Sequence, residues 1–425
     1  MGTIKLWISL FTFLSTPAVI QAQTYTVPID SVICRITTSS YRSHFDSIRT
    51  QAHSNRKVQE TAQQSNDHDA CRDYIFRSFQ TYLGQDNCYL NHFESGDHGG
   101  LANVIGVKKG SNQNKGIWII SAHYDSNNNN QTNKEQQIIS PGANDNGTGI
   151  ATILEIARII GRLETEASIL FAAWDLEEVF TDGFGTGSNE WLMQFVKRRK
   201  PTDWSNLGNH GWVNKNDIRG NINFDMFGNP QLSDQELPVL WACYAMENQQ
   251  YFTEDYAATI NKYIPEIRAI SYGKLIWSDH YTFASRNIPA VENLESNYQE
   301  DPFYHTYADH LNNPDNINFD FATKVCKGGL AYLLEQVVQI QFNSAEHKKA
   351  NFCMAETPNY YELYTTVGLG NIQIYNQYGT LIWEDIGQSN YKFSPPTNDW
   401  YYIRTNYLNT AYRQFIHLNK KEGFF

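Results

Sequence analysis

Positive charge is scarce in this sequence, and so are proline and charged residues of either sign. The 425 residues include 33 Lys and Arg against 45 Asp and Glu, which makes the formal net charge −12. The longest basic run is residues 197–200, so we expect no nucleic-acid partner. With 41% hydrophobic residues, 18% charged residues and 13 prolines, the composition also excludes a disordered or collagen-like chain.

Long hydrophobic runs are missing too, apart from one segment at the N-terminus. Residues 6–20 are mostly apolar, but polar residues interrupt them and the segment is too short to span a bilayer. A small residue, Ala22, follows, as at a signal cleavage site. We therefore interpret residues 1–22 as a signal peptide and expect no stable membrane insertion after its removal. The mature protein would begin at Gln23 and be secreted, periplasmic or bound at the cell surface.

Cysteine is infrequent and widely spaced. The six cysteines form no CxxC pair and no Cys/His pattern of a thiolate metal site. Because six cysteines allow 15 pairings, the sequence does not choose among them. We expect several buried thiols and one or two disulfides.

Apolar runs and helical periodicities alternate through most of the chain. Residues 116–122 and 167–174 are almost continuously apolar, which is typical of strands buried on both faces. Further strands are predicted at 101–107, 218–224, 237–244 and 288–294, and helices at 41–64, 71–83, 147–163, 188–199, 251–263 and 319–340. This alternation predicts an α/β fold with a mostly parallel central sheet and helices on both faces.

The pattern of apolar and polar residues changes near the C-terminal end of the sequence. Residues 360–418 consist of short runs of alternating apolar and polar residues, separated by Gly, Asn and Pro. This pattern predicts a small antiparallel β module. We expect the main domain at 23–350 and the module at 356–425, with the polar segment 344–351 between them.

Five clusters of acidic and histidine residues follow strands or lie in loops, where α/β sheets place their ligands. The clusters are residues 121–126, 141–149, 174–178, 223–226 and 304–309. Together they offer two imidazoles, a carboxylate for each, and a further carboxylate to share. Two zinc ions about 3.5–4 Å apart require such a set. Asp125 lies two residues past His123, on the same side of an extended segment. Its carboxylate could fix the tautomer of the His123 imidazole without itself binding the metal.

From about residue 101 to 334 these motifs resemble the secreted di-zinc aminopeptidases of the bacterial leucyl aminopeptidase type, in the family's order. The resemblance implies zinc as the cofactor, two ions per chain, and an aminopeptidase that acts on peptides with a free N-terminus. The metal ligands that it implies are His123 and Asp225 on one zinc ion, Glu178 and His305 on the other, and Asp145 bridging both.

The resemblance also implies roles for two further residues. Glu177 would be the general base that activates the attacking water. The Ser-Asp-His triplet at 278–280 matches a family motif that borders the active site, which places Asp279 behind the metal ligands. The chain departs from the family in a longer glycine-rich segment at 179–188. It also carries an apparent insertion at 197–217, and it lacks the tyrosine that some relatives place before the triplet.

Three alternatives remain open from the sequence. Glutaminyl cyclases share this fold and similar motifs with a single zinc, although residues 143–149 have the aminopeptidase form. A carboxypeptidase or dipeptidase of the same clan would differ only in its substrate pocket. A binding domain that has lost catalysis would have no need of the complete ligand set.

The C-terminal module has two interpretations of its own. Its strand pattern resembles the sorting domains of the type-nine secretion route, but the opening Asn-Pro motif of those domains is absent. A plain β appendage to the main domain is the other interpretation.

Overall fold

The computed structural model describes residues 29–338 with short gaps, together with the backbone of strands between residues 352 and 418. The gaps before residue 338 are 53–55, 57–65, 96–97, 130–139, 180–185, 208–210, 231, 233–235, 297, 311 and 314. The predicted signal peptide therefore lies outside the described residues. No helix in the described part of the chain is both long and apolar enough to cross a membrane.

The main part of the chain is a mixed sheet with helices on both sides. Its strands are β1 (Cys88–Ser95), β2 (His98–Lys108), β3 (Ile117–His123), β4 (Ser168–Trp174), β5 (Val196–Lys197), β6 (Val213–Asn214), β7 (Ile218–Phe224), β8 (Val239–Cys243), β9 (Arg268–Tyr272) and β10 (Ala290–Glu295). Its helices are α1 (Ile29–Ile33), α2 (Thr38–Ala52), α3 (Asn66–Leu83), α4 (Gly147–Ile160), α5 (Thr186–Phe195), α6 (Gln250–Tyr263), α7 (Asp279–Ala284) and α8 (Phe319–Val337).

Eight of these strands form the central sheet, in the spatial order β1-β2-β4-β3-β7-β10-β8-β9. The four central strands β4, β3, β7 and β10 are parallel to one another. The pairs β1–β2, β2–β4 and β10–β8 are antiparallel, and the edge pair β8–β9 is parallel. The predicted α/β fold with a mostly parallel sheet is confirmed.

The two faces of the sheet pack into two separate hydrophobic clusters. Along β3, Trp118 and Ile120 belong to the cluster formed with helices α2, α3, α4, α6 and α8. Ile117 and Ile119 point the other way, into the cluster that contains α5 and α7. Because side chains alternate along a strand, a run that is apolar at every position is needed to cover both faces.

The strands after residue 352 are all antiparallel, as predicted. They are β11 (Phe352–Glu356), β12 (Tyr361–Thr365), β13 (Asn371–Asn376), β14 (Leu381–Ile386), β15 (Asn390–Phe393), β16 (Asp399–Tyr407) and β17 (Thr410–Leu418). They form a three-stranded sheet, β11-β12-β15, and a four-stranded sheet, β14-β13-β16-β17. The division of the chain into domains at 23–350 and 356–425 stays a prediction.

One helix ends earlier than its predicted range of 41–64. Helix α2 stops at Ala52, and Arg56 is no longer helical. The Arg56 guanidinium is buried and donates hydrogen bonds to the backbone carbonyls of Tyr124 and Pro141, at 2.9 and 2.8 Å. A side chain that ties two distant loops together in this way draws the chain out of the helix. Residues 53–55 and 57–64 of the predicted range lie outside the described residues.

Most of the cysteines are buried thiols, and one is disulfide-bonded. Cys71, Cys88, Cys243 and Cys326 are free and buried, whereas Cys34 is in a disulfide.

A buried ion pair lies behind the carboxyl end of β4. The Asp175 carboxylate contacts Nε2 of His68 at 2.8 Å, and it accepts hydrogen bonds from the Tyr124 hydroxyl at 2.7 Å and the Ala102 amide at 2.9 Å. Burial alone lowers the pKa of His68, but the Asp175 charge and hydrogen bond outweigh it and raise the pKa to about 9. The imidazolium thus joins α3 to the start of the loop after β4.

From this ion pair we predict how the free energy of unfolding depends on pH. The pKa of His68 is higher in the folded chain than the ordinary value of about 6.5, so the stabilisation is complete below pH ~6.5 and is lost as the pH rises through 9. We expect the free energy of unfolding of the wild type to exceed that of His68→Gln most at pH 6. The difference should shrink by up to about 3 kcal/mol by pH 9.5.

Denaturant titrations at a series of pH values would measure this difference. His92→Gln, at an exposed position on β1, is the matched control and should show no comparable change with pH. A difference between the wild type and His68→Gln that stays constant from pH 6 to 9.5 would contradict the ion pair.

Candidate metal centre and cavity

The carboxyl ends of the parallel strands bring the first pair of predicted site residues together. His123 is the last residue of β3, and Asp225 comes directly after β7, the parallel neighbour of β3. Nε2 of His123 lies 3.2 Å from Oδ1 of Asp225, and both side chains are buried. The Asp225 amide donates a 3.0 Å hydrogen bond to the Asn293 carbonyl on β10, which fixes the chain as it leaves the sheet.

Asp145 lies between two histidines, in the loop just before α4. Its Oδ1 atom is 3.3 Å from Nε2 of His123, and its Oδ2 atom is 3.0 Å from Nε2 of His305. Asp309 holds this loop because its carboxylate accepts hydrogen bonds from the backbone amides of Asn144 and Asp145, at 2.6 and 3.0 Å. The carboxylate of Asp145 is therefore fixed from behind and presents one oxygen to each imidazole.

The second histidine has its own carboxylate neighbour. Nε2 of His305 lies 3.1 Å from Oε2 of Glu178, in the loop after β4. The ring of Tyr304 stacks on the His305 imidazole, with 3.9 Å between ring centroids. His305 also has a positive φ of 54°, an uncommon backbone conformation for a residue other than glycine. The loop thus turns sharply to present this imidazole.

Asp125 supports both sides of the site. Its two carboxylate oxygens accept hydrogen bonds from the backbone amides of Glu177 and Glu178, at 3.0 and 3.1 Å. Its Oδ1 atom also lies 3.3 Å from Nδ1 of His123, whose Nε2 faces Asp145. Asp125 thus lies on the Nδ1 side of the His123 ring, opposite Asp145. The hydrogen bonds to the two amides were not foreseen.

The carboxylates of the adjacent residues Glu177 and Glu178 face different histidines. Glu177 is buried, with Oε2 3.9 Å from Nε2 of His123, whereas Glu178 faces His305. Neither Oε1 atom of the two glutamates has a hydrogen-bond partner within the described residues. Both side chains therefore line the same site, Glu177 beside His123 and Glu178 beside His305.

Negative charge is concentrated here, and the ionisation of the site reflects it. Burial raises the pKa of Glu177 well above its usual range, and burial and Asp145 raise the pKa of Glu178 to about 7. Burial alone lowers the pKa of His305, but Glu178 and Asp145 raise it to about 11. Such a site attracts cations.

The donor atoms fit a divalent metal ion. One ligand atom each from His123, Asp145 and Glu178 lie within 4.8 Å of one another. Imidazole nitrogen and carboxylate oxygen are ligands that zinc accepts. The unpartnered Oε1 atoms of the two glutamates are the buried polar atoms that a bound cation and its water would satisfy.

A cavity of about 370 Å³ opens beside these residues. Its wall includes all five predicted metal ligands and Glu177. Its other members are mostly apolar or aromatic, and they include Met226, Leu275, Trp277, Leu294, Tyr298 and Tyr304. The cavity thus pairs a strongly acidic end with an apolar wall of a size suited to a small ligand or an amino-acid side chain.

Asp279 lies outside this cavity lining, at the first residue of α7. It is fully buried, and burial raises its pKa to about 7. No described hydrogen bond joins it to a predicted metal ligand, so its role behind the site stays a prediction.

Two acidic residues near the site were not assigned from the sequence. Asp309 is part of the motif at 304–309, and its position four residues after His305 was the only signal for it. Glu292 lies inside the buried strand β10 and lines the cavity. The signal for it was an acidic residue inside a strand that the sequence predicts to be buried.

Comparison with known proteins shows which family this chain is similar to. A model of peptidase family M28 matches residues 103–327. Aminopeptidase YwaD of Bacillus subtilis is 38% identical over 78 residues, which are 18% of this chain and 15% of that protein. A Pyricularia oryzae protein described as "Probable zinc metalloprotease" is 36% identical over 78 residues, again 18% of this chain and 15% of its own length. The matched segment thus spans about 15% of the length of these curated relatives.

Solved structures share the fold at low sequence identity. The Legionella pneumophila LapA aminopeptidase superposes with a TM-score of 0.54 at 18% identity, over 74% of this chain and 75% of that one. The Porphyromonas gingivalis glutaminyl cyclase superposes with a TM-score of 0.51 at 19% identity, over 71% of this chain and 99% of that one. These likenesses confirm the fold and do not choose between the two activities. Because the family model matches more than half of the chain, however, this protein belongs to peptidase family M28.

Proposed function

We propose that this protein is an aminopeptidase that binds two zinc ions and removes the N-terminal residue from peptides. The observation that carries the proposal is the position of Asp145, whose two oxygens face His123 and His305 at 3.3 and 3.0 Å. Asp225 is the further neighbour of the first histidine, and Glu178 of the second. Each half offers one imidazole and one carboxylate, with Asp145 common to both, a set that suits a pair of zinc ions.

Zinc ions held there would act as Lewis acids that polarise the scissile carbonyl and lower the pKa of water. In this proposal the Glu177 carboxylate takes the proton of the attacking water and then delivers it to the leaving amine. The hydrogen bond from its backbone amide to Asp125 supports this role, because it fixes the start of the loop that carries the base. The acidic end of the cavity would favour a protonated peptide N-terminus at initial binding.

The activity can be tested against its alternatives in one set of assays. We expect the wild type to release free amino acids from aminoacyl-p-nitroanilides and to leave N-acetylated substrates intact. Elemental analysis after purification without chelator should find about two zinc ions per chain, since the donor set has two halves. A single zinc with formation of pyroglutamate from glutaminyl peptides would identify a cyclase instead. Release of C-terminal residues would identify a carboxypeptidase. Failure to turn over any of these substrates would identify a binding domain without catalysis.

The roles of the two adjacent glutamates can be separated by isosteric variants. We expect Glu177→Gln to lower kcat by roughly 10²–10⁴-fold while zinc content stays near that of the wild type, because only the base is removed. Glu178→Gln should lose zinc first and activity as a consequence. The measurements are zinc content and turnover on both variants. Near-full turnover in Glu177→Gln, or zinc loss equal to that of Glu178→Gln, would show that the assigned roles are wrong.

We also propose that the protein is exported, as the N-terminal segment 1–22 suggests, with the catalytic domain at 23–350. The strands after residue 352 would form an appended module, either for sorting during secretion or for attachment to the main domain. N-terminal sequencing of protein recovered outside the cytoplasm of its host should begin at Gln23. An intact Met1 on that protein, or its retention inside the cell, would contradict cleavage of a signal peptide.

A further inference from the structure

Glu292 is a cavity-lining carboxylate that the proposed mechanism does not use. It is the third residue of β10, in register with Asn223 of β7 and Cys243 of β8, and it is only 4% exposed. Leu294, two residues further along the same face of the strand, lines the cavity as well. A carboxyl group in the interior of a central strand is costly unless something pairs with it.

No hydrogen bond within the described residues satisfies the Oε2 atom of Glu292. The polar atom beside it is Nδ1 of His280, 3.1 Å away, in an orientation that leaves both atoms without a hydrogen bond. Nε2 of His280 already contacts the Leu275 carbonyl at 3.0 Å. A carbonyl can only accept, so Nε2 carries the proton there and a neutral ring has none to donate at Nδ1. Within the described residues the Oε2 atom of Glu292 therefore has no donor, and a cationic group that enters through the cavity would supply one.

The surroundings of Glu292 are apolar. Buried Met226, Cys243 and Leu294 form one hydrophobic cluster, and half-buried aromatic and aliphatic residues pack against it. Several members of that cluster line the cavity together with Glu292, namely Met226, Leu275, Leu294, Tyr298 and Tyr304. An apolar wall that includes one acidic group outside the proposed metal-binding set suits a ligand with a long aliphatic stem and a cationic end.

The charges of the metal centre do not account for Glu292. In the proposed enzyme, two divalent ions would offset the four carboxylates of Asp145, Glu177, Glu178 and Asp225. Glu292 lies on the neighbouring strand and is not a member of that set. Burial, Asp225 and Asp279 raise the pKa of Glu292 well above its usual range, so a cation placed beside it in the cavity is what would favour its ionised form.

We propose that Glu292 selects peptides whose first residue is lysine or arginine. The aliphatic stem of that residue packs against the apolar wall, and its terminal N–H groups donate to the Glu292 carboxylate. This inference rests on the proposed aminopeptidase function and names the substrates of that same site.

The test compares lysine with norleucine, which has the same stem without the ammonium group. Hydrolysis of lysyl- and norleucyl-p-nitroanilide gives kcat/KM for each. We expect the wild type to prefer lysine by roughly 10–100-fold, the effect of a hydrogen bond to a charged group. In Glu292→Gln the preference should fall to about threefold or less, mainly through a higher KM for lysine. In Glu292→Met, which extends the apolar wall, norleucine should become the better substrate.

The control is Glu300→Gln, which removes an equal charge from an exposed position in the following loop. It should leave the lysine preference unchanged if the effect belongs to Glu292 and not to the general acidity of the protein. A wild type that hydrolyses both substrates equally would overturn the proposal. So would an equal loss on both substrates in Glu292→Gln, because that result would assign Glu292 a structural role beside His280.

A binding measurement separates this inference from the proposed activity. Titration calorimetry with lysinamide and norleucinamide on the zinc-loaded wild type and Glu292→Gln reports recognition without turnover. Tighter binding of lysinamide that depends on Glu292 would support the selection even if no peptide were hydrolysed, in which case only the aminopeptidase function would fail. Equal binding of the two amides would overturn the selection.

Discussion

The repulsion among buried carboxylates at one edge of the sheet is the constraint on which the rest of the structure depends. Asp145, Glu177, Glu178 and Asp225 are drawn together around two imidazoles, in a place where burial opposes their ionisation. Like charges in a desolvated site separate unless covalent and hydrogen-bonded structure holds them. The backbone of the parallel strands holds some of these residues together, because the carboxyl ends of the strands lie at the same edge of the sheet.

The hydrogen-bonded part comes from residues that would not bind metal themselves. The Asp125 carboxylate accepts hydrogen bonds from two backbone amides of the loop after β4. The Asp309 carboxylate accepts hydrogen bonds from two backbone amides of the loop before α4. Arg56 ties the loop after β3 to the segment that leads to Asp145. These partners are far apart in the sequence, so the geometry of the site is a property of the whole domain and not of any one motif.

The sequence allowed the fold and the members of the site to be predicted, because both leave short-range signals. Strand β4 was predicted to within one residue of its observed bounds, since a run apolar on both faces has few other structures open to it. Strand β1 and helix α7 were not predicted, because β1 alternates with polar residues and α7 is only six residues long. The hydrogen bonds of Asp309 and the position of Glu292 could not be predicted, because both depend on how segments far apart in the chain meet.

The order of the segments along the chain has a consequence for how the protein is made. His123 and Asp145 come early, whereas His305 and Asp309, which complete and fix the site, come near the end of the main domain. During synthesis the growing chain therefore carries an incomplete set of the predicted ligands until residue 309 has left the ribosome. A nascent chain that ends before residue 305 lacks one of the two histidines, so any chemistry that needs both begins only when the main domain is nearly complete.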